Sequence, residues 1–215
     1  MISLDALKEA IEKAKEGSKP RKFRQSVDLI INVRDVSMKQ PEARLNEAVA
    51  LPHVPKGRSA KVCVIAEGDL AIRAKGVADA VIGKDEVARA QGDKRYAKQL
   101  AKSFDFFIAQ ADLMPLIGRA LGPALGPRGK MPTPLPSTAD PVPLIRRLQS
   151  SVRVRMKDVP VIQCSIGTED MPTDELAENA KAVIDSVEER LKVPHRLGDV
   201  YVKLTMSPPV RVGAS

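Results

Sequence analysis

Side chains suited to acid–base or nucleophilic chemistry are scarce in this 215-residue chain. His53, His195, Cys63 and Cys164 are its only histidines and cysteines, and tryptophan is absent. Each histidine follows a proline, which marks both as loop residues, and neither is spaced to activate a nucleophile. The cysteines stand roughly a hundred residues apart, outside any ligand-like spacing, so reduced and buried thiols are expected rather than a disulfide or a zinc site. No catalytic set, metal or cofactor is predicted.

What the chain does offer is chemistry for anions. Leu121-Gly122-Pro123-Ala124-Leu125-Gly126-Pro127-Arg128-Gly129-Lys130-Met131-Pro132 places three glycines and three prolines around two cations. Glycine opens dihedrals closed to other residues and proline fixes its own φ, so the alternation specifies a shaped, basic backbone path. A nucleotide-binding P-loop ending in Gly129-Lys130 would need its leading glycine at Ala124 and a hydroxyl at Met131, and has neither. From Gly118 to Arg155, seven cations (Arg119, Arg128, Lys130, Arg146, Arg147, Arg153 and Arg155) face a single acid, Asp140, a local surplus of +6. Phosphate binding is the reading this favours, without base stacking, because no aromatic is interleaved.

Bulk composition agrees. Thirty-five Lys and Arg against 27 Asp and Glu give a formal charge of +8, which favours a polyanionic partner through counterion release. A composition that is 43% hydrophobic supports a real core in one or two domains. No apolar run is long enough to span a bilayer, and the N-terminus opens with Asp5 and Glu9 rather than a signal segment, so no membrane partner and a cytoplasmic location are expected.

The elements that must position these groups fall into two styles. Leu4, Leu7, Ile11 and Ala14 predict a helix over residues 4–16, capped by Ser3 and stopped at Gly17. The basic link Lys19-Pro20-Arg21-Lys22 and Phe23 lead into a half-buried strand with Val27, Leu29, Ile31 and Val33 on one side. Near the other end, strands at Val161–Ile166 and Val200–Met206 flank a helix from about Thr173 to Val193. Between the termini the grammar changes. Lys61–Ala66, Val81–Ile82 and Phe104–Ala109 are short, fully apolar runs separated by helical stretches near 69–79, 94–102 and 112–121. This alternation predicts a parallel sheet covered on both faces.

The fold class that follows is α+β with α/β: a discontinuous α+β sheet domain from both termini (1–60 plus 154–215) and an inserted Rossmann-like three-layer α/β/α domain (61–153), with two chain crossings that make a hinge. Ser26 and Asp28 project together from the first strand, and Tyr201, Lys203 and Thr205 from the last. Side by side, those strands would form a polar platform beside Arg21 and Lys22. Thr205 to Ser207, before Pro208-Pro209, would then stand at a surface edge, and Ile166–Pro172 leads into the long helix.

The segments LGPALGPRGKMP, KPRKFRQSVDLIINVRD with its later VALPH, TDELAENAKAVIDSV and VKLTMSPPVRV, in this order, resemble the family of large-subunit ribosomal protein one, the stalk protein, in its archaeal form. The resemblance spans essentially the whole chain. It implies a split domain that grips the rRNA of the mobile stalk near the tRNA exit site, an inserted domain without enzymatic role, help in releasing deacylated tRNA, and repression of the protein's own mRNA. The free protein is expected to be a monomer. By matching motifs, RNA contacts are expected from Lys22, Phe23, Ser26, Asp28, Thr205, Met206 and Ser207, from Gly167 and Thr168 before the long helix, and from Arg128 and Lys130 as further basic contacts. The family's usual glycine after the Thr-Met pair is Ser207 here. Two rivals remain: a nucleotide-dependent enzyme on the central domain, and an adaptor for acidic proteins.

Overall fold

The computed structural model describes residues 2–34, 45–55, 59–191 and 197–213, which leaves His195 and the predicted helix end at Val193 outside the described residues. The chain forms two compact units, Met1–Arg58 with Ser150–Ser215, and Ser59–Gln149.

In the terminal unit, α1 (Leu4–Glu16) begins where Ser3 Oγ accepts the Ala6 N–H at 3.2 Å and ends where the Gly17 N–H reaches the Lys13 carbonyl at 3.0 Å. The alternation of β1 (Ser26–Val33) buries Val27, Leu29, Ile31 and Val33. β1 pairs antiparallel with β8 (Val161–Thr168) and with β9 (Leu197–Leu204), which carries the short β10 (Val210–Arg211) on its far side. The strand order is β10-β9-β1-β8. α1 and α8 (Thr173–Leu191) close the apolar face, where Leu7, Ile11, Leu176, Val183 and Val187 join the strand residues in one core. Each fully buried aliphatic there contributes about 1.5–3 kcal/mol.

A second, two-stranded ribbon completes this unit. β2 (Leu45–Ala50) pairs with β7 (Ser151–Met156) from Leu45↔Met156 to Ala50↔Ser151, and Leu45, Val49, Val154 and Met156 enter the same core. That pairing draws residues 150–153, expected in the inserted domain, into the terminal unit.

The inserted unit is a parallel sheet in the order β4-β3-β5-β6: β4 (Ala80–Ile82), β3 (Val62–Ile65), β5 (Phe106–Gln110) and β6 (Thr133–Leu135). β3 is buried on both faces. Cys63, Ile65, Phe107 and Ala109 pack with α3 (Lys84–Gly92), α4 (Lys94–Ser103), α5 (Met114–Ala120) and α6 (Gly122–Leu125). Their neighbours Val62 and Val64 turn to the opposite face, the side of α2 (Gly68–Ala74) and α7 (Pro141–Gln149). The three-layer arrangement is therefore present, with α3, α6 and β6 added to the predicted elements.

Candidate nucleic-acid interface

Pairing of β1 with β9 and β8 gives the terminal unit an open, polar sheet face. Asp28 stands opposite Lys203 on one side and Ser165 on the other, and Ile30 stands opposite Tyr201 and Gln163. Asp28, Ile30, Gln163, Ser165 and Lys203 surround a shallow hollow of about 350 Å³. Opposite charges directly across a strand pair stabilise it by roughly 0.2–1 kcal/mol, so Asp28 tempers Lys203 without cancelling the link's cations.

One edge of this face is tied together by three chain segments. The Ser26 N–H donates to Thr205 Oγ1 at 3.0 Å, and the Thr205 N–H donates to the Ser26 carbonyl at 3.1 Å. Gln25, 1% exposed, accepts the Met206 N–H on Oε1 at 3.2 Å and donates from Nε2 to Ser18 Oγ at 2.9 Å and Glu169 Oε2 at 3.2 Å. Its own N–H reaches Glu169 Oε1 at 3.0 Å. Sequence reasoning passed over Gln25, although the period of two that buries Val27, Leu29 and Ile31 also points residue 25 inward, where an amide must find partners.

Around this clasp, Lys22 and Phe23 are exposed, Phe23 by 51% and Met206 by 58%. Arg21, next to Lys22 in the chain, is exposed as well. Arg24 pairs with Asp170 at 2.5 Å, and Lys15 donates to the Met171 carbonyl at 2.6 Å, burial holding its pKa below the ordinary lysine value.

Gly167, Thr168 and Ser207 are buried. Ser207, expected at a surface edge, is 7% exposed; its Oγ accepts the Leu204 N–H at 2.9 Å and closes the turn. Thr168 is 4% exposed, and its carbonyl accepts the Met171 N–H. Gly167 lies where β1 and β8 slip register, Val27↔Gly167 being followed by Asp28↔Ser165. A Cβ on Gly167 would collide with Leu176 and come within 2.7 Å of the Met171 sulfur. The bulge and the absent side chain let the chain pass under that pair. Asn179, fully buried in α8, donates to the carbonyls of His53 at 2.7 Å and Ile166 at 2.9 Å, fixing the VALPH loop to the same end of β8.

The glycine–proline passage is more helical and more inward-facing than its composition suggests. After α6 the chain ends in a Schellman turn: Gly129 takes φ +68°, the Lys130 N–H reaches the Leu125 carbonyl at 3.0 Å and the Gly129 N–H that of Gly126 at 2.9 Å. Arg128 Nη1 donates to the Ala124 carbonyl at 2.8 Å. Lys130 Nζ donates to the carbonyls of Phe104 at 2.6 Å and Ala101 at 3.2 Å, so this cation caps the C-terminus of α4. At the C-terminal ends of β3 and β5, where a doubly wound sheet would take a nucleotide, the Glu67 N–H donates to Gln110 Oε1 at 3.1 Å, and Gln110 donates to Asp112 at 3.2 Å. Carboxylates in both turns oppose a phosphate. Burial pushes the thiols of Cys63 and Cys164 up to about 12, which keeps both protonated and inert. Among the described residues no cluster of His, Cys, Asp and Glu could hold a metal, and no helix is long and apolar enough to cross a membrane.

Comparison with known proteins adds relatives that span the whole chain. The family described as "Ribosomal protein L1p/L10e family" matches residues 7–208. The "Large ribosomal subunit protein uL1" of Thermofilum pendens is 51% identical over 214 residues, covering 99% of this chain and 95% of that protein. That of Methanothermobacter thermautotrophicus is 48% identical over 206 residues, covering 95% and 97%. That of Pyrobaculum neutrophilum is 46% identical over 215 residues, covering 100% and 96%.

Proposed function

The chain belongs to the ribosomal protein L1p/L10e family, and from that premise we propose that its terminal unit grips large-subunit rRNA at the mobile stalk beside the tRNA exit site. It is a ribosomal protein of the large subunit and acts by binding, not catalysis. The observation that carries the finer reading is the Gln25–Ser26–Thr205 clasp, which holds Phe23 and Met206 out at one edge of a polar sheet face.

The mechanism is recognition of RNA shape. A preorganised polar face meets backbone and 2′-hydroxyl groups, while Lys22 and Lys203 add salt-dependent affinity. Ser26, Asp28 and Thr205 supply hydrogen-bonding groups, and Phe23 and Met206 pack on sugars. Ser207, Gly167 and Thr168 hold the turns that set this edge. Arg128 and Lys130, engaged with backbone carbonyls, act on the architecture of the inserted unit. In the same reading, the stalk carries deacylated tRNA out of the exit site. An mRNA of its own that folds into a similar junction competes for this face, so the protein represses its translation. The free protein works as a monomer in the cytoplasm.

The test is a titration of a stalk-junction rRNA fragment against a scrambled RNA of equal length. Selective binding to the junction, reduced tenfold or more in Phe23→Ala and Met206→Ala, is expected. Equal affinity for both RNAs contradicts the proposal.

A further inference from the structure

Half of the chain's formal surplus of +8 sits on one helix of the inserted unit. α4 carries Lys94, Arg95, Lys98 and Lys102 and no Asp or Glu. At 3.6 residues per turn these four fall within an arc of about 100°, along about 12 Å of helix axis. Tyr96, Ala97, Leu100 and Ala101 take the inward side, and Ala97, Leu100 and Ala101 are buried. All four cations are exposed, and none of their side chains has an ion-pair or hydrogen-bond partner among the described residues. Other helices of the unit offset their charges instead: Arg73 meets Asp69 at 2.9 Å within α2, and α3 sets Asp85 and Glu86 beside Lys84.

This arrangement costs stability, because Lys94–Lys98 and Lys98–Lys102 are like-charge pairs at a spacing of four. The fold nonetheless holds the helix rigidly. Asp93 accepts the N–H groups of Arg95 and Tyr96 at its start, Lys130 caps its end, and the Arg89 guanidinium lies 5.3 Å over the Tyr96 ring. A repulsive face kept in a fixed shape is accounted for by a partner that neutralises it. The outward surface of α4 adds only Gln99 and Ser103 to the cations, so it lacks both an aromatic platform for bases and an apolar anchor for a protein.

We propose that the exposed face of α4 binds the phosphate backbone of RNA, as a second and sequence-independent surface on the inserted unit. It stands on its own charge pattern, whatever RNA the terminal unit selects. The glycine–proline passage serves it through Lys130, which fixes the helix end.

The experiment replaces all four residues in the full chain (Lys94→Gln, Arg95→Gln, Lys98→Gln, Lys102→Gln) and compares a control of equal charge (Lys61→Gln, Lys75→Gln, Lys84→Gln, Lys181→Gln), all exposed. Binding of each to a random-sequence RNA duplex is measured across a salt series. Each lost phosphate contact removes about 0.9 from the magnitude of the slope of log K against log salt, so the α4 variant loses up to about 3.6 and the control changes little. With like-charge repulsion relieved, the α4 variant melts no lower than the parent, and it keeps any preference for the stalk junction over scrambled RNA. An unchanged slope overturns the proposal. So does an equal fall in both variants, or a loss confined to binding of polyglutamate.

Discussion

Ser26 and Thr205, 179 residues apart in the chain, are joined three times: the Ser26 N–H reaches the Thr205 hydroxyl at 3.0 Å, and the Thr205 N–H and hydroxyl reach the Ser26 carbonyl at 3.1 and 3.4 Å. The two ends of the chain are thereby locked into one edge, so that the basic link before β1 and the Thr-Met-Ser turn after β9 present together.

Replacing Thr205 with Ala removes the two bonds of this clasp that its hydroxyl makes, and with them the hydroxyl proposed to meet RNA. Losing it should weaken binding of stalk-junction RNA by about 1–3 kcal/mol, roughly five- to more than a hundredfold, in a filter-binding titration. Thr205→Ser restores most of the affinity, and Lys181→Gln, an exposed charge on α8, changes it far less. Equal effects of Thr205→Ala and Lys181→Gln would remove Thr205 from the contact surface.

Gln25→Leu keeps the volume but strips partners from Glu169 Oε2, Ser18 Oγ and the Met206 N–H at a buried position. Urea unfolding should show a loss of about 1–3 kcal/mol. A midpoint unchanged from the parent would mean that the amide network contributes nothing net.

Local signals explain what could be read in advance. α1 carries its cap, stripe and stop within residues 3–17, and β1 its strict alternation, so both were legible, as was the β/α alternation of the inserted unit. The β2–β7 ribbon was not, because its strands lie about a hundred residues apart and Glu47 stands between Leu45 and Val49 on the same face of β2, breaking the apolar alternation. β6 contains Pro134, which argues against a strand on sequence grounds, and the buried residues of α3 are only Val87 and Ala90. At the candidate site, Phe23 and Thr205 came from motif matching. The inward turn of Lys130 depends on carbonyls 26 and 29 residues upstream, and no local pattern announces it.

Lys130→Met retains the stem and removes the ammonium that binds two carbonyls at the end of α4. Stability should fall by about 1.5–3 kcal/mol, as for hydrogen bonds to a charged group, read as a lower urea midpoint. Affinity for stalk-junction RNA through the terminal unit should stay near the parent value.

Gly167→Ala forces a methyl against Leu176 and the Met171 sulfur. Overpacking of this kind should cost about 1–3 kcal/mol in thermal unfolding. A variant as stable as the parent would show that the two side chains move aside freely.

Burial raises both cysteines from an unfolded value of 9.0 to about 12. Below pH 9 each thiol is protonated in both states and the stability is unaffected by it. Above that, the unfolded chain loses protons that the fold retains, so stability falls between pH 9 and about 12. Cys63→Ala and Cys164→Ala should each flatten this alkaline loss in pH-dependent melting curves. In the native protein at pH 8, neither thiol should react with a thiol-exchange reagent until the chain unfolds.

The measurement that bears most directly on the central claim is a chemical footprint of the protein on intact large-subunit rRNA. Protection confined to one stalk-like helical junction, and lost in Phe23→Ala and Thr205→Ala, is the predicted result. Protection elsewhere, or a junction footprint that survives both substitutions, would contradict the account.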